Sequence, residues 1–308
     1  MAISAESAKR ANELLNEMKY ISKYGNEDCN AFCKPNITTM KIVIKAWCRA
    51  KNGAKALEVL NEMTQSFDIS PDLVSYTTVM NAYAMERTST SGFNSEKVFR
   101  AMLQKHNNDL EPDTICYTSL IDAYAQSSSL EAAIRAETIL EEILSIVTTK
   151  NNMNVMPNTI TLNCVLKAWL NSDFVNSGYR ANLLLSNIES KCKGSNDDGI
   201  DCNSLSPNLS SYITVIQCYA KNKLKDSDKN AYELFQKVND LSKEETSSSS
   251  KRKNVFAINT SLYNNLINAY ASSGTIDSAI AAEDLYYLPY NHLLMRIYHQ
   301  MQLQYHLL

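Results

Sequence analysis

Apolar residues return along this chain at helical spacing, in paired blocks separated by short polar turns. Near the start, SAESAKRANELLNEM carries apolar residues at Ala11, Leu14, Leu15 and Met18 and acids at Glu6, Glu13 and Glu17. That is the pattern of an amphipathic helix with one solvent face. Farther on, Val74, Val79, Ala82 and Tyr83 recur at the same spacing. So do AKALEVLNEM from Ala54, SEKVFRAMLQ from Ser95, LEAAIRAETILEEIL from Leu130, GYRANLLLSNIES from Gly178 and NAYELFQKVNDL from Asn230. The blocks are of two kinds. A first helix follows a Pro-Asn or Pro-Asp step and ends in Ala-aromatic (once Cys-Tyr). A second helix follows a short turn. Gly53, Gly92, Gly178 and Gly274 lie near that turn, where glycine's tolerance of positive φ is expected to end one helix and start the next.

The first-helix blocks are copies of one another. They start at Pro35, Pro71, Pro112, Pro157 and Pro207, and a sixth starts at Ile258 without the proline. One position in them falls at Met40, Tyr76, Tyr117, Leu162, Tyr212 and Tyr263, with spacings of 36, 41, 45, 50 and 51 residues. A helical hairpin of this size cannot bury its own apolar stripe, whereas stacked hairpins bury a continuous core. The predicted fold is therefore all-α, a solenoid of stacked helical hairpins whose hand the stacking argument leaves open; a right-handed α-solenoid is the expectation adopted. Small residues at Ala46, Ala82, Ala123, Ala168 and Ala269 are expected to let helices approach closely.

The expected organisation is a truncated N-terminal half repeat over 1–36 and an array over 37–284. Its repeats are 37–72, 73–113, 114–158, 159–208, 209–259 and a partial 260–284. Spacing grows through polar, low-complexity insertions near 192–206 and 242–254, read as loops at one edge of the stack. The tail 285–308 leaves the pattern at Pro289. It reads as a capping helix or as read-through from a wrong splice site, the second being preferred.

Composition narrows the chemistry. The formal net charge is −3, so any attraction for nucleic acid has to be local. Eight scattered cysteines do not form a disulfide framework, and reduced thiols are the default. No stretch is apolar enough to span a membrane. The N-terminal segment matches neither a transit peptide nor a signal peptide, and the chain reads as starting inside a repeat.

The copies resemble the pentatricopeptide repeat family, whose pattern is seen in YTTVMNAYA from Tyr76, YTSLIDAYA from Tyr117 and YNNLINAYA from Tyr263. The resemblance covers about residues 8 to 284. The tetratricopeptide repeat is the nearest rival, but its Trp-Leu-Gly-Tyr first helix is absent. Membership implies single-stranded RNA binding, one base per repeat, read by the residue after the helix-A aromatic and by the last residue of the repeat. The implied pairs are Lys41 with Asp72, Thr77 with Asp113, Thr118 with Asn158, Asn163 with Asn208 and Ile213 with Asn259, with Asn264 left unpaired. The family's code implies guanine for Thr77, adenine for Thr118 and a pyrimidine for Asn163, hence a core G-A-(C/U) with the N-terminal repeat at the 5′ end. Lys41 and Ile213 depart from the family's usual choices. Aliphatic residues that sandwich bases would be Val74, Ile115 and Ile160, whereas Thr38, Ser210 and Ser261 fit poorly. The phosphate position falls at Arg49, Met85, Gln126, Asn171, Lys221 and Ser272, of which only Arg49 and Lys221 are basic. Weak, salt-sensitive binding is expected.

Plainer readings stand beside these. The Asn/Asp series also fits helix N-caps. The aromatics Trp47, Tyr83, Tyr124, Trp169, Tyr219 and Tyr270 are read as core. Cys29 and Cys33 lack the further ligands a zinc site needs, and His292, His299 and His306 recur along the atypical tail. Asp197, Asp198 and Asp201 read as solvated. Neither a deaminase signature nor a phosphate-binding loop occurs, so no catalysis, metal or other cofactor is expected. The resemblance implies organellar RNA processing, stability or translation, in a mitochondrion or plastid, with RNA-processing proteins as partners and no membrane or small-molecule substrate. The alternative is a repeat scaffold that binds an extended peptide or a helix.

Overall fold

The computed structural model describes residues 2–25, 33–105, 110–150, 152–193, 202–222, 224, 226–247, 256 and 258–273. The second helix expected after Ser278, the tail with His292, His299 and His306, and Cys29, Asp197, Asp198, Asp201 and Gly274 lie outside them. Among the described residues every regular element is helical. The fold is an all-α repeat solenoid, and its helices divide into two compact units.

The first unit contains α1 (Ala2–Tyr24), α2 (Ile37–Arg49), α3 (Gly53–Phe67), α4 (Leu73–Glu86), α5 (Ser91–Leu103), α6 (Thr114–Ala125), α7 (Leu130–Lys150) and α8 (Thr159–Asn171). The first helices α2, α4, α6 and α8 form a row in which each touches the next. Each of the second helices α3, α5 and α7 wedges between two members of that row, and α1 packs on α2 as a second helix would. In the second unit, α9 (Ser177–Lys193) packs on α11 (Leu209–Asn222), and α12 (Ser227–Ser247) packs on both α11 and α13 (Thr260–Ser273). The short α10 (Cys202–Leu205) and the helical course of α12 through Ser247 lie inside the two insertions, so parts of both are helix rather than loop.

The predicted N-caps are formed. Asn36, Asp72, Asp113, Asn158, Asn208 and Asn259 each accept a backbone amide two or three residues on, at 2.8 to 3.1 Å. This satisfies donors that a helix start leaves open, at about 1 kcal/mol per cap.

The glycines do a different job from the one expected. Gly53, Gly92 and Gly178 lie in the first turn of their second helices with helical backbone. The left-handed residues at four of these turns are instead Lys51, Arg87, Ser128 and Asp226. The glycines are there because the ring of the next repeat's Ala-aromatic lies on them. A methyl at Gly178 would sit 2.7 Å from Tyr219 Cδ1, and at Gly53 and Gly92 it would overlap Tyr83 and Tyr124 further. Ala8 and Ala133 occupy the same place in α1 and α7 and are fully buried.

One turn beyond the small residue, a polar side chain receives the tip of the same aromatic. Tyr124 donates to Glu96 and Trp169 Nε1 donates to Glu137 Oε2 at 2.8 Å, while the Trp47 Nε1–Asn12 Oδ1 contact is longer, at 3.4 Å. The next repeat also caps the second helix: Gly53 N donates to Glu86 Oε1 at 2.6 Å and Gly92 N to Ser127 Oγ at 2.8 Å. Each hairpin is thus completed by its neighbour. Trp169→Phe keeps an aromatic ring but removes one donor from buried Glu137 and leaves a small void, and should cost about 1–3 kcal/mol in a urea unfolding titration.

Candidate nucleic-acid interface

Because second helices cover one side of each first helix, the opposite side stays open. On α4 the residues left uncovered or half-covered are Val74, Thr78, Asn81 and Met85, a stripe at i, i+4, i+7 and i+11. The same register gives Thr38, Ile42, Lys45 and Arg49 on α2, then Ile115, Asp122 and Gln126 with the buried Ser119 on α6, and Ile160, Cys164, Lys167 and Asn171 on α8. In the second unit it gives Ser210, Thr214, Gln217 and Lys221 on α11 and Ser261, Asn265, Asn268 and Ser272 on α13. The residues predicted to sandwich bases and those predicted to meet phosphate are therefore the two ends of one stripe, about 16 Å apart at 1.5 Å per residue.

The aliphatic end is open to solvent. Val74 is 61% exposed, and Ile115 and Ile160 are each 66% exposed. Three large apolar side chains thus stand mostly exposed at one register position of successive first helices. Between Ile115 and Ile160 lies a cleft of about 440 Å³, within the range of small-ligand sites. Thr118 and Asn158 line it, and Asn81 and Asp122 do so one turn farther along.

The structure brings three predicted pairs together. Thr118 Oγ1 lies 2.8 Å from Thr161 Oγ1, which lies 3.3 Å from Asn158 Oδ1. Thr77, which is buried, lies against the thiol of Cys116, and the backbone amide of Cys116 donates to Asp113 Oδ1 at 2.8 Å. Lys41 pairs directly with Asp72. Ile213 offers no hydrogen-bonding atom to match Asn259, an exposed cap, and Asn264 is exposed on α13. Asn163 is half-buried on α8, and Asn208 caps α11.

Capping occupies only one polar atom of these side chains. In Asn158, Oδ1 accepts from the amides of Ile160 and Thr161 at 2.9 and 3.1 Å, while Nδ2 has no hydrogen bond among the described residues. In Asp113 one carboxylate oxygen caps, and the other accepts nothing among them. A cap fixes the side chain and leaves its second polar atom for a ligand, a donor in Asn and an acceptor in Asp.

Sequence reasoning missed the middle of the stripe. Asp122 pairs with Lys167 at 3.2 Å, and Gln217 Nε2 donates to Asn265 Oδ1 at 3.1 Å. Helical spacing from the exposed second position would have found these residues. Burial pushes the thiols of Cys116, Cys164 and Cys218 up to about 12, with the charge of Asp113 adding to it at Cys116 and that of Asp122 at Cys164. No cluster of metal-binding side chains occurs among the described residues, and none of the described helices is long and apolar enough to cross a membrane.

The PPR repeat family model matches residues 35–85, and the PPR repeat model matches 115–136 and 261–281. A pentatricopeptide repeat-containing protein of Arabidopsis thaliana, At5g25630, is 30% identical over 101 residues, 33% of this chain and 16% of that protein. The crystal structure of the pentatricopeptide repeat protein PPR10 from maize aligns with a TM-score of 0.45 at 15% identity, over 91% of this chain and 39% of that one. PPR10 in complex with an 18-nt psaJ RNA element aligns with a TM-score of 0.44 at 16% identity, over 84% and 35%. The chain thus spans less than half the length of each of these proteins.

Proposed function

We propose that this chain, which is built of pentatricopeptide repeats, binds single-stranded RNA along the open stripe of its first helices and reads bases with the capping Asn and Asp residues. The observation that carries this reading is the cleft at Ile115 and Ile160. It combines two exposed aliphatic walls with a polar atom pre-oriented by a cap and otherwise unused. Pre-orientation matters because a rotor already fixed by folding need not be ordered on binding. Asn158 Nδ2 would donate to the N1 acceptor of adenine, and the free oxygen of Asp113 would accept the N1–H of guanine. With the pyrimidine that the family resemblance implies for Asn163, the core would be G-A-(C/U). The role is non-catalytic: the protein would hold or deliver a transcript segment for processing, protection or translation, and an organelle is the expected setting.

Asn158→Asp is the direct test. The substitution keeps the capping oxygen and turns the outward donor into an acceptor. In a binding titration with short RNAs, preference at the second core base should move from A to G by about tenfold or more. With Arg49 and Lys221 as the phosphate contacts, the slope of log affinity on log salt should be near −1.4. Binding without base preference would leave only an electrostatic groove. No binding at low salt by folded protein would favour an extended peptide as ligand, consistent with the exposed aliphatic residues and the few cations of the stripe.

A further inference from the structure

The predicted reading positions are not all in the same state. At the second and third positions the cap leaves one outward atom without a hydrogen bond among the described residues, an oxygen of Asp113 and Nδ2 of Asn158. At the first, both oxygens of Asp72 are used by the chain itself. Oδ1 accepts from the amide and the hydroxyl of Ser75 at 3.0 and 2.7 Å, and Oδ2 accepts from Lys41 Nζ. The difference is one of reach. Thr77 and Thr118, at the position of Lys41, turn their hydroxyls back onto the carbonyls of Leu73 and Thr114 at 2.7 Å. The four-carbon stem of lysine crosses to the next repeat and delivers a charge there. Burial alone would raise the Asp72 carboxyl. The bond from Lys41 and the two from Ser75 outweigh it and hold the group below its ordinary value.

We propose that the Lys41–Asp72 ion pair closes the first reading position, so that base selection begins at Thr77–Asp113. A base reaching Asp72 has to displace a charge-assisted hydrogen bond with one from a neutral donor, and leaves the ammonium behind. A base that meets the pair intact finds a rotatable ammonium with two N–H groups to spare, which can donate to a carbonyl oxygen or ring nitrogen of any base. Both routes leave the position indifferent to sequence. Lys41 is then a specificity-determining residue by exclusion. This inference rests on the RNA reading proposed above.

The test uses the whole chain and RNAs with cores N-G-A-C and, for the opposite polarity, C-A-G-N, with N each base in turn, together with cores in which the G, the A or the C is replaced. Wild type should bind the four within about threefold of one another while discriminating at G and A. Lys41→Thr frees Asp72 and recreates the Thr–Asp pair of the next position, and should gain about tenfold selectivity at N for the base preferred by Thr77–Asp113. Lys41→Met, which removes the charge and keeps the stem's bulk, should also gain selectivity there. Helical content by circular dichroism checks that each variant is folded. Tenfold selectivity at N in wild type overturns the closed position, as do folded variants that stay indifferent at N while discriminating at G-A-C. Absence of binding to every RNA at low salt overturns the RNA reading itself, and this inference with it.

Discussion

Gly92→Ala is expected to destabilise the protein by about 2–3 kcal/mol, although alanine ordinarily stabilises a helix relative to glycine by about 1 kcal/mol. The sign reverses because Gly92 lies in the first turn of α5 directly beneath the ring of Tyr124. A methyl there overlaps ring carbons, and neither partner can move freely. Tyr124 is buried on α6, its hydroxyl is tied to Glu96, and the amide of Gly92 is tied to Ser127. Relief requires α5 and α6 to separate, which opens the contact between one hairpin and the next. A chemical unfolding titration measures the effect. Unchanged or increased stability would mean that the two helices do not approach as closely as the structure shows.

Glu96→Ala should cost about 3 kcal/mol at neutral pH, because it removes the acceptor at the centre of a buried network. Glu96 is 7% exposed. It accepts from Arg100 Nη2 at 2.7 Å, from Arg135 Nη2 at 2.9 Å and from the Tyr124 hydroxyl. Three second- and first-helix elements, α5, α6 and α7, thus meet on one carboxylate. Burial raises this carboxyl, but the bonds from Arg135, Tyr124 and Arg100 win and lower it from 4.5 to about 2. Its folded value lies below its unfolded value, so its contribution is fully present above about pH 4.5. It is lost as pH falls from there toward about 2. Unfolding titrations at pH 7, 4 and 3 should show wild type losing stability across that window, and Glu96→Gln losing less. Parallel pH profiles would show that the carboxylate is not the charged centre of this contact.

The architecture was legible in the sequence because it is periodic. Six copies of an apolar stripe at helical spacing, five opened by a proline–Asn/Asp step and five closed by Ala-aromatic, predict helical hairpins that only stacking can bury. The N-caps were legible too, since capping depends on residues three apart in the chain. The exposure of Val74 was not: it recurs at helical spacing with the buried Val79, Ala82 and Tyr83, yet it stands 61% exposed.

What the sequence could not assign were the relations between repeats. The glycines looked like turn residues, because turns are a local use of glycine. Their use is set by a ring about 30 to 41 residues later, as with Gly53 and Tyr83 or Gly178 and Tyr219. Lys41 and Asp72 looked like a matched pair facing a ligand, and only their placement across two helices shows that they bond to each other. Whether Asp72 caps or reads looked like a choice between functions, until the geometry separated its two oxygens. The physical reason is common to all three. Backbone conformation responds to neighbours within a few residues. Steric fit, charge pairing and the vacancy of a particular atom depend on distances between side chains on different helices. The sequence thus determined which hairpins form and which face of each stays open, and the tertiary structure alone decided which polar atoms on that face remain for a ligand.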